Sequence, residues 1–357
     1  MNMRCLARVF NPPARPACGW RANDGAGSAA FAAVKMPRQR KPASMSSDPP
    51  KPVKFARLRR GFGWFAVFLM RALVLLPLRW QIALCKTLGR AVALLPTPRR
   101  HVAEVNIAAC FPELSDAERR QLLRDHFAAI GASLAELAMG WFGDEELVRR
   151  RIRVEGAEHL RAAQARGKGT ILFAAHFTSL EFFWVALRPL CPRASGMYKW
   201  QKNPVMNEVM NRARLRYFDE LLVKDNVRRM LRNLADNYVV WYASDQRAVG
   251  KNSALVPFFG VPAMTSTAIS RIARVSGAVV LPFYVRRVGN GDEYVMTIQP
   301  PVSGFPSGDD AHDARELLKR LEDYIRLCPE QYFWTHKRFK GRPAPWPDPY
   351  EPVRQTA

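Results

Sequence analysis

A histidine followed five residues later by a glutamate is the pair in this chain whose types and spacing could carry acid–base chemistry. His176 and Glu181 stand in the run Ile171–Glu181, ILFAAHFTSLE. An imidazole can take a proton from an alcohol and so activate the alcohol as a nucleophile. A carboxylate beside the ring would accept its hydrogen bond, fix its tautomer and raise its basicity. We therefore predict that His176 is a general base and that Glu181 orients it.

The same residues also fit a purely structural role. Thr178 and Glu181 match the Ser/Thr-x-x-Glu capping box that starts a helix, so the glutamate could serve the backbone alone. A single histidine at a strand end is compatible with an ordinary hydrogen-bonded polar residue, and the H-x-x-x-x-E spacing is short enough to occur by chance. The pattern alone leaves catalysis and structure open.

Three short, apolar, β-rich runs predict the buried strands that would position this pair. They are residues 170–175, 238–243 and 278–285. His176 directly follows the first run, and open α/β folds hold their ligands at the carboxyl ends of the strands. We expect the next helix to begin at about Thr178.

Helical periods alternate with these strands. The longest predicted helix runs from Asp116 to Trp141 and begins at a capping box, Ser115 to Glu118. Further helices are predicted over residues 204–217, 227–236, 265–275 and 311–327. The alternation indicates an α/β domain over residues 99–342, with a parallel or mixed sheet flanked by helices, followed by a Pro-rich, extended tail over residues 343–357.

Residues 1–53 predict a disordered basic arm rich in Ala, Pro, Arg and Ser. The folded pattern begins only after Met36 and Met45, so we expect the natural start to be one of these two. A transit peptide is the alternative, although the arm shows no clear amphipathic helix.

Residues 54–98 predict a membrane anchor. Within them, residues 61–78 hold a single charge, Arg71. As a helix, this stretch would span ~27 Å and just cross a hydrocarbon core. A central arginine costs roughly 2.5–3.5 kcal/mol there, so a helix lying in the interface competes with a spanning one. A buried core helix is a further alternative.

The formal charge of +24 indicates acidic partners, which could be nucleic acid, an anionic membrane or an acidic protein. The sequence contains no zinc-finger spacing, RNP run or basic heptad helix that would indicate a nucleic-acid-binding protein. The sequence also lacks the G-x-S-x-G nucleophile elbow, which argues against a serine hydrolase of the α/β type. The six cysteines are far apart, so we expect no metal, no disulfide framework and no cofactor.

Several runs resemble motifs of the lipid A biosynthesis late acyltransferases, in particular the lauroyl type. The clearest are His176–Glu181 and Tyr332–Pro343. Further matching runs follow the order that the family shows: Asn106–Pro112, Met139–Phe142, Trp241–Gln246, Val256–Gly260 and Pro329–Tyr332. The resemblance extends from about Phe62 to Tyr350.

The resemblance implies a membrane-bound enzyme of the glycerolipid-acyltransferase fold. It would move an acyl chain from acyl carrier protein to the 3-hydroxyl of an acyl chain on the Kdo-bearing lipid A precursor. The family's base and its acidic partner match His176 and Glu181 here, and a glutamate at this position favours lauroyl over myristoyl transfer.

The resemblance also implies roles for residues outside that pair. Arg214 would stabilise the oxyanion or grip a phosphate, or else be a solvated helix charge. Asp245 would shape the site or pair with a nearby cation, and Phe258 and Phe259 would line an acyl chain or belong to the core. A C-terminal cluster could face lipid phosphates or the carrier protein: His336, Lys337, Arg338, Lys340 and Arg342.

The expected partners are acyl carrier protein, the Kdo-lipid A precursor and the anionic inner membrane, with the catalytic domain on the cytoplasmic side. Three alternatives stay open: another glycolipid acceptor, such as a mannosylated phosphoinositide, a catalytically inert membrane scaffold, and a basic nucleic-acid-binding protein.

Overall fold

A computed structural model describes residues 56–223, 226–289 and 291–351 of the 357-residue chain. The arm predicted over residues 1–53, with its two candidate start methionines, lies outside the described residues, and so does the tail beyond residue 351.

In the described residues, nine strands form a seven-stranded sheet and a separate hairpin. In chain order they are β1 (Ile152–Glu155), β2 (Thr170–Ala174), β3 (Ala194–Tyr198), β4 (Glu220–Val223), β5 (Val239–Ala243), β6 (Ser253–Phe258), β7 (Val261–Ser266), β8 (Val279–Val288) and β9 (Glu293–Ile298). The sheet order is β1-β9-β8-β2-β5-β3-β4, and β6 pairs with β7. All neighbours in the sheet are parallel except β8 and β9.

Eleven α-helices surround the strands within the described part of the chain. They are α1 (Ala56–Val74), α2 (Leu78–Val92), α3 (Pro98–Cys110), α4 (Asp116–Phe142), α5 (Glu145–Arg149), α6 (Ala157–Ala165), α7 (Trp184–Leu187), α8 (Pro204–Arg214), α9 (Val227–Ala235), α10 (Ala268–Ser276) and α11 (Asp310–Leu327). Short 3₁₀ turns stand at Leu180–Phe182, Arg188–Leu190 and Pro329–Gln331.

The architecture confirms the predicted α/β class with a mixed, mostly parallel sheet. The three runs predicted as buried strands form β2, β5 and β8, which lie side by side at the centre of the sheet. Every residue of β2 is buried, because helices cover both faces of a central parallel strand. This is why the run is apolar throughout instead of alternating.

The long helix α4 begins where its capping box predicts. The Ser115 side chain accepts a hydrogen bond from the Glu118 backbone, and the Glu118 side chain accepts one from the Ser115 backbone. Helix α4 packs against α2 at two glycines. A Cβ on Gly89 would lie 2.1 Å from the Phe127 carbonyl oxygen, and a Cβ on Gly131 would lie 2.0 Å from the Cys85 carbonyl oxygen. The two helix backbones therefore touch.

The apolar stretch predicted over residues 61–78 is not one helix. Helix α1 ends at Val74, and Pro77 precedes α2, since proline lacks the N–H that a continuing helix needs. Val67 of α1 is buried, but Phe62 and Phe68 are largely exposed, so the buried-core alternative is wrong. Within the described ranges, no helix is both long and apolar enough to cross a membrane.

Candidate functional site

The register of two parallel strands brings His176 to Asp245. In the pairing of β2 with β5, Ala174 lies beside Ala243. The residues two positions after each of these alanines therefore stand side by side at the carboxyl ends of the two strands. The His176 ring Nδ1 lies 2.6 Å from Asp245 Oδ1, and the His176 backbone N–H donates to Asp245 Oδ2 over 3.0 Å.

This contact fixes the state of the imidazole. A carboxylate can only accept, so the proton between the two groups belongs to Nδ1, and Nε2 carries the free lone pair. The His176 side chain is 33% exposed, whereas Asp245 is 1% exposed. The ring therefore joins a buried carboxylate to an accessible nitrogen, which is the arrangement of a general base.

Electrostatics reinforce the pair. Burial alone would lower the pKa of His176, but the charge and hydrogen bond of Asp245 outweigh burial and raise that pKa above its ordinary value. Burial would raise the pKa of Asp245, yet His176 and the Tyr332 hydroxyl hold it below its ordinary value. Asp245 stays ionised, and His176 is a stronger base than a free histidine.

Glu181 pairs with Arg214 at the end of α8. Arg214 Nε donates to both carboxylate oxygens, over 3.1 and 3.2 Å, and Arg214 Nη2 also contacts Oε1. The indole N–H groups of Trp184 and Trp141 donate to Oε2 over 3.1 and 3.4 Å. Burial opposes ionisation of Glu181, but Arg214 and the two indoles keep its pKa below the ordinary value.

The structure thus differs from the expectation that Glu181 would accept the hydrogen bond of the His176 ring. That expectation placed a helix start at about Thr178. The chain instead turns from His176 into the 3₁₀ turn Leu180–Phe182, without the predicted Thr178 capping box, and Thr178 Oγ1 meets no partner among the described residues. Asp245, and not Glu181, accepts the hydrogen bond of the His176 ring.

The C-terminal segment holds the turn that carries His176. The Thr178 backbone N–H donates to the Gln331 carbonyl over 2.9 Å, and the Phe333 N–H donates to the His176 carbonyl over 3.0 Å. Phe177 and Tyr332 form a backbone bridge between these contacts. In the sequence, only the resemblance to the family indicated that this segment belongs to the site.

A buried ion pair lies behind the same turn. Arg287 Nε of β8 donates to Glu136 Oε1 of α4 over 2.6 Å, and Ser179 Oγ donates to the same oxygen over 3.3 Å. All three side chains are buried. Sequence reasoning missed this network, although a charge inside a buried strand and one inside the apolar face of α4 were signals for it.

The other predicted contact residues gather around the hairpin of β6 and β7. Phe258 is fully buried, and Phe259 occupies the hairpin turn with a φ of 50°. The Arg338 side chain lies over the Phe258 ring at 5.1 Å and is buried as well. Phe258 and Arg338 therefore face the interior, not an outer surface. Lys340 pairs with Asp348 at 3.5 Å, and Arg342 Nη2 donates to the Pro347 carbonyl over 2.7 Å.

Within the residues described, no cluster of His, Cys, Asp or Glu could hold a metal ion. The cysteines of this part are all buried and unpaired: Cys85, Cys110, Cys191 and Cys328. Burial raises the pKa of their thiols, as at Cys85 and Cys191, so they are poor nucleophiles.

Known proteins are similar to this chain over most of its length. The family model of the bacterial lipid A biosynthesis acyltransferases matches residues 49–341. The lipid A biosynthesis lauroyltransferase of Escherichia coli (strain K12) is 33% identical over 80% of the chain and 94% of its own length. The palmitoleoyltransferase of the same strain is 32% identical over 82% of the chain and 95% of its own length. Its myristoyltransferase is 26% identical over 81% of the chain and 90% of its own length.

Proposed function

Since this chain belongs to the bacterial lipid A biosynthesis acyltransferases, it is an acyltransferase acting in lipid A synthesis, and we propose its substrates and mechanism. It transfers a lauroyl chain from acyl carrier protein to a hydroxyl of an acyl chain on the Kdo-bearing lipid A precursor. The His176–Asp245 pair carries the chemical part of this proposal. The relatives' names support lipid A as the acceptor. The choice of lauroyl rests on Glu181 in the H-x-x-x-x-E run, because the lauroyl- and palmitoleoyltransferases are almost equally identical to this chain.

The reaction uses His176 Nε2 as the general base. As the acceptor hydroxyl oxygen bonds to the thioester carbonyl carbon, its proton passes to Nε2. The resulting imidazolium is stabilised by ionised Asp245, which holds Nδ1–H throughout. When the tetrahedral intermediate collapses, the carbon–sulfur bond breaks and the departing thiol takes the proton back from Nε2. The base is then ready for another cycle.

Arg214 supplies the positive charge that the oxyanion needs. Its positive charge opposes protonation of His176, which supports a place for the guanidinium near the imidazole. Glu181 and its two indole donors keep the guanidinium in one orientation, so Glu181 is a positioning residue for Arg214. A charge held ready in this way stabilises a developing oxyanion without reorganisation.

Helices α1 and α2 present an apolar face that suits the membrane interface. Its side chains are exposed and lie on α1, on α2 and in the segments that follow each helix: Leu58, Phe62, Trp64, Phe65, Phe68, Leu69, Leu75, Leu76, Trp80, Leu84, Leu88, Val92, Leu94 and Leu95. On α2 they recur every four residues and form one stripe. Soluble monomers rarely expose apolar patches of such extent.

The surroundings of this face favour an interfacial placement at an anionic leaflet. Arg59 and Arg60 stand in the first turns of α1, and Arg90, Arg99 and Arg100 stand near the end of α2 and after it. Basic residues at the surface of such a leaflet contribute about 1 kcal/mol each. The acyl carrier protein and the glycolipid phosphates are also acidic, so the charge of +24 favours their approach. We place the domain on the cytoplasmic side of the inner membrane.

The direct test is acyl transfer by the purified protein. Kdo-lipid A precursor in mixed micelles is incubated with lauroyl-, myristoyl- or palmitoleoyl-carrier protein, and the product is analysed by mass spectrometry. We expect addition of one lauroyl group, and His176→Ala should lose at least about 100-fold in rate. His159→Ala is the matched control, because His159 lies on α6 with the same 33% side-chain exposure. Near-normal turnover by His176→Ala would refute the base, and transfer only to a different glycolipid would refute the acceptor.

A further inference from the structure

Three arginines converge on one side of the β6–β7 hairpin. The Arg247 backbone bridges to Thr265 of β7. Arg338 Nη1 donates to the Met264 carbonyl over 2.8 Å, and its Nη2 donates to Thr265 Oγ1 over 2.6 Å. Two segments far apart in the chain, one through the Arg247 backbone and one through the Arg338 side chain, thus contact Thr265.

The third arginine, Arg342, follows a glycine that lies against the Arg247 side chain. Gly341 has a φ of 70°, and a Cβ there would lie 3.3 Å from both Nε and Nη2 of Arg247. The Arg247 guanidinium therefore rests against the turn that carries Arg342. Arg342 Nη2 donates to the Pro347 carbonyl over 2.7 Å, which leaves its remaining donors for another partner.

The pairing of these three arginines distinguishes them from most other arginines of the described chain. Across the described ranges, Arg247, Arg338 and Arg342 form no ion pair with a carboxylate, and the Nε atom of each is buried without a protein acceptor. Arg338 is only 2% exposed. Burying a charged group without a partner is costly, and such a group calls for an explanation. Asp245 acts on Arg338 through space, but both its oxygens are engaged by His176.

We infer that Arg247 and Arg342, backed by the buried Arg338, form a binding site for a phosphate ester. A guanidinium presents its donors in a planar fork that matches phosphate oxygens, and a dianionic group would balance the excess positive charge. Arg247 and Arg342 are partly exposed and contact the ligand, whereas Arg338 contributes its charge from below.

The site lies beside the reacting groups, so it deepens the proposed function and rests on it. Arg247 follows Asp245 by two residues, and Arg338 lies on the segment whose Phe333 backbone N–H donates to the His176 carbonyl over 3.0 Å. A phosphate held here would anchor one substrate while its reacting end reaches His176. Either the glycolipid acceptor or the phosphopantetheine arm of the donor carries a suitable phosphate.

The experiment separates the two sources by removing phosphate from one substrate at a time. Wild type, Arg247→Gln and Arg342→Gln are assayed with the bisphosphorylated acceptor and with its enzymatically dephosphorylated form, at constant donor. In a second arm, lauroyl-phosphopantetheine and lauroyl-pantetheine are compared as donors, at constant acceptor. Arg247→Lys keeps the charge but not the fork. Arg166→Gln is the matched control, because Arg166 is exposed and precedes β2, at the amino end of that strand.

We expect each Gln variant to raise KM for the phosphorylated form of one substrate by at least about tenfold, with a smaller rise for Arg247→Lys and none for Arg166→Gln. With the matching dephosphorylated substrate, wild type and variants should become nearly equal, and the arm in which this happens identifies the source. Equal losses with and without phosphate in both arms, or no losses, would overturn the phosphate site. Absence of transfer by wild type would instead overturn the proposed function.

Discussion

Asp245 accepts hydrogen bonds from both the backbone N–H and the ring Nδ1 of His176, over 3.0 and 2.6 Å. One buried carboxylate thus fixes the position of the residue and the tautomer of its ring. Because the two residues follow neighbouring parallel strands in register, the sheet itself sets their separation.

Replacing Asp245 with Asn should show this dependence. The amide can present an N–H to the ring, which favours the tautomer with the proton on Nε2 and removes the base. We expect the rate of acyl transfer to fall by about 10²–10⁴-fold with the fold retained. Asp236→Asn, in an exposed cap of α9, should leave the rate unchanged.

The pH profile adds a second readout of the same contact. His176 works as a base only when neutral, and its pKa is raised above 6.5. The wild-type rate should therefore increase with pH, and the rising limb of its pH–rate profile should have its midpoint above 6.5. Loss of the Asp245 charge lowers the pKa, and the limb of Asp245→Asn should move to lower pH. An unmoved limb would show that Asp245 does not tune the base.

The Glu181–Arg214 pair can be tested for its two effects separately. Both side chains are mostly buried, so Glu181→Gln or Arg214→Met alone should cost on the order of 3 kcal/mol in the free energy of unfolding. The double variant should recover most of this loss, because no unpaired charge remains. Its acyl transfer should stay reduced by at least about 100-fold if Arg214 meets the oxyanion.

Urea unfolding and initial rates measure these two quantities. The exposed pair Glu208 and Arg212 on α8 provides the control, since the same substitutions there should cost under about 1 kcal/mol and leave the rate unchanged. Recovery of both stability and turnover by the double variant would assign the buried pair a structural role only.

The apolar face of α1 and α2 predicts binding to anionic vesicles. Leu84→Glu with Leu88→Glu places two charges in its stripe and should reduce vesicle binding by at least about tenfold, as measured by co-sedimentation. The matched control is Leu327→Glu at the end of α11, where the side chain is also exposed. Equal binding by both variants would show that another surface meets the membrane.

Acid should destabilise the protein through His126. Its Nδ1–H donates to the Glu330 carbonyl over 3.0 Å, and burial lowers its pKa from 6.5 to about 4. The unfolded chain binds a proton that the folded chain rejects, so stability is lost as pH falls from 6.5 towards 4. This one group should contribute about 2 kcal/mol between pH 7 and pH 5.

Thermal or urea unfolding at the two pH values measures this loss. His126→Asn keeps a donor for Glu330 but does not titrate, so its unfolding free energy should change less between them. His101→Asn, at an exposed position, should retain the wild-type difference. His336, whose pKa burial also lowers to about 4, accounts for part of the remaining sensitivity.

Local patterns predicted the central strands and the start of the longest helix, but not the helix boundaries near Thr178 and Val74 and not the contacts of the site. Apolar runs predicted β2, β5 and β8, and Ser115 with Glu118 predicted the start of α4, since such signals are contained in adjacent residues. The sequence also placed His176 directly after the first of these strands, and the structure has it at the carboxyl end of β2.

The partner of His176 required knowledge of strand order. Asp245 lies 69 residues away, and only the pairing of β2 with β5 brings it to the ring. Glu181 was assigned to the ring because it is near in sequence, but a 3₁₀ turn directs it to Arg214. The contact between Glu136 and Arg287 spans 151 residues and is equally invisible to local patterns.

The backbone contact of α2 with α4 links the exposed apolar face, which we propose meets the membrane, to the helix that carries Trp141. Gly89 and Gly131 leave no gap in which one helix could slide over the other. From Gly131, α4 rises about 15 Å to Trp141, whose indole holds Glu181. In the proposed interfacial placement, the depth of α2 among the headgroups would set the height of His176 above the acyl chains, and a methyl group on either glycine would change that height.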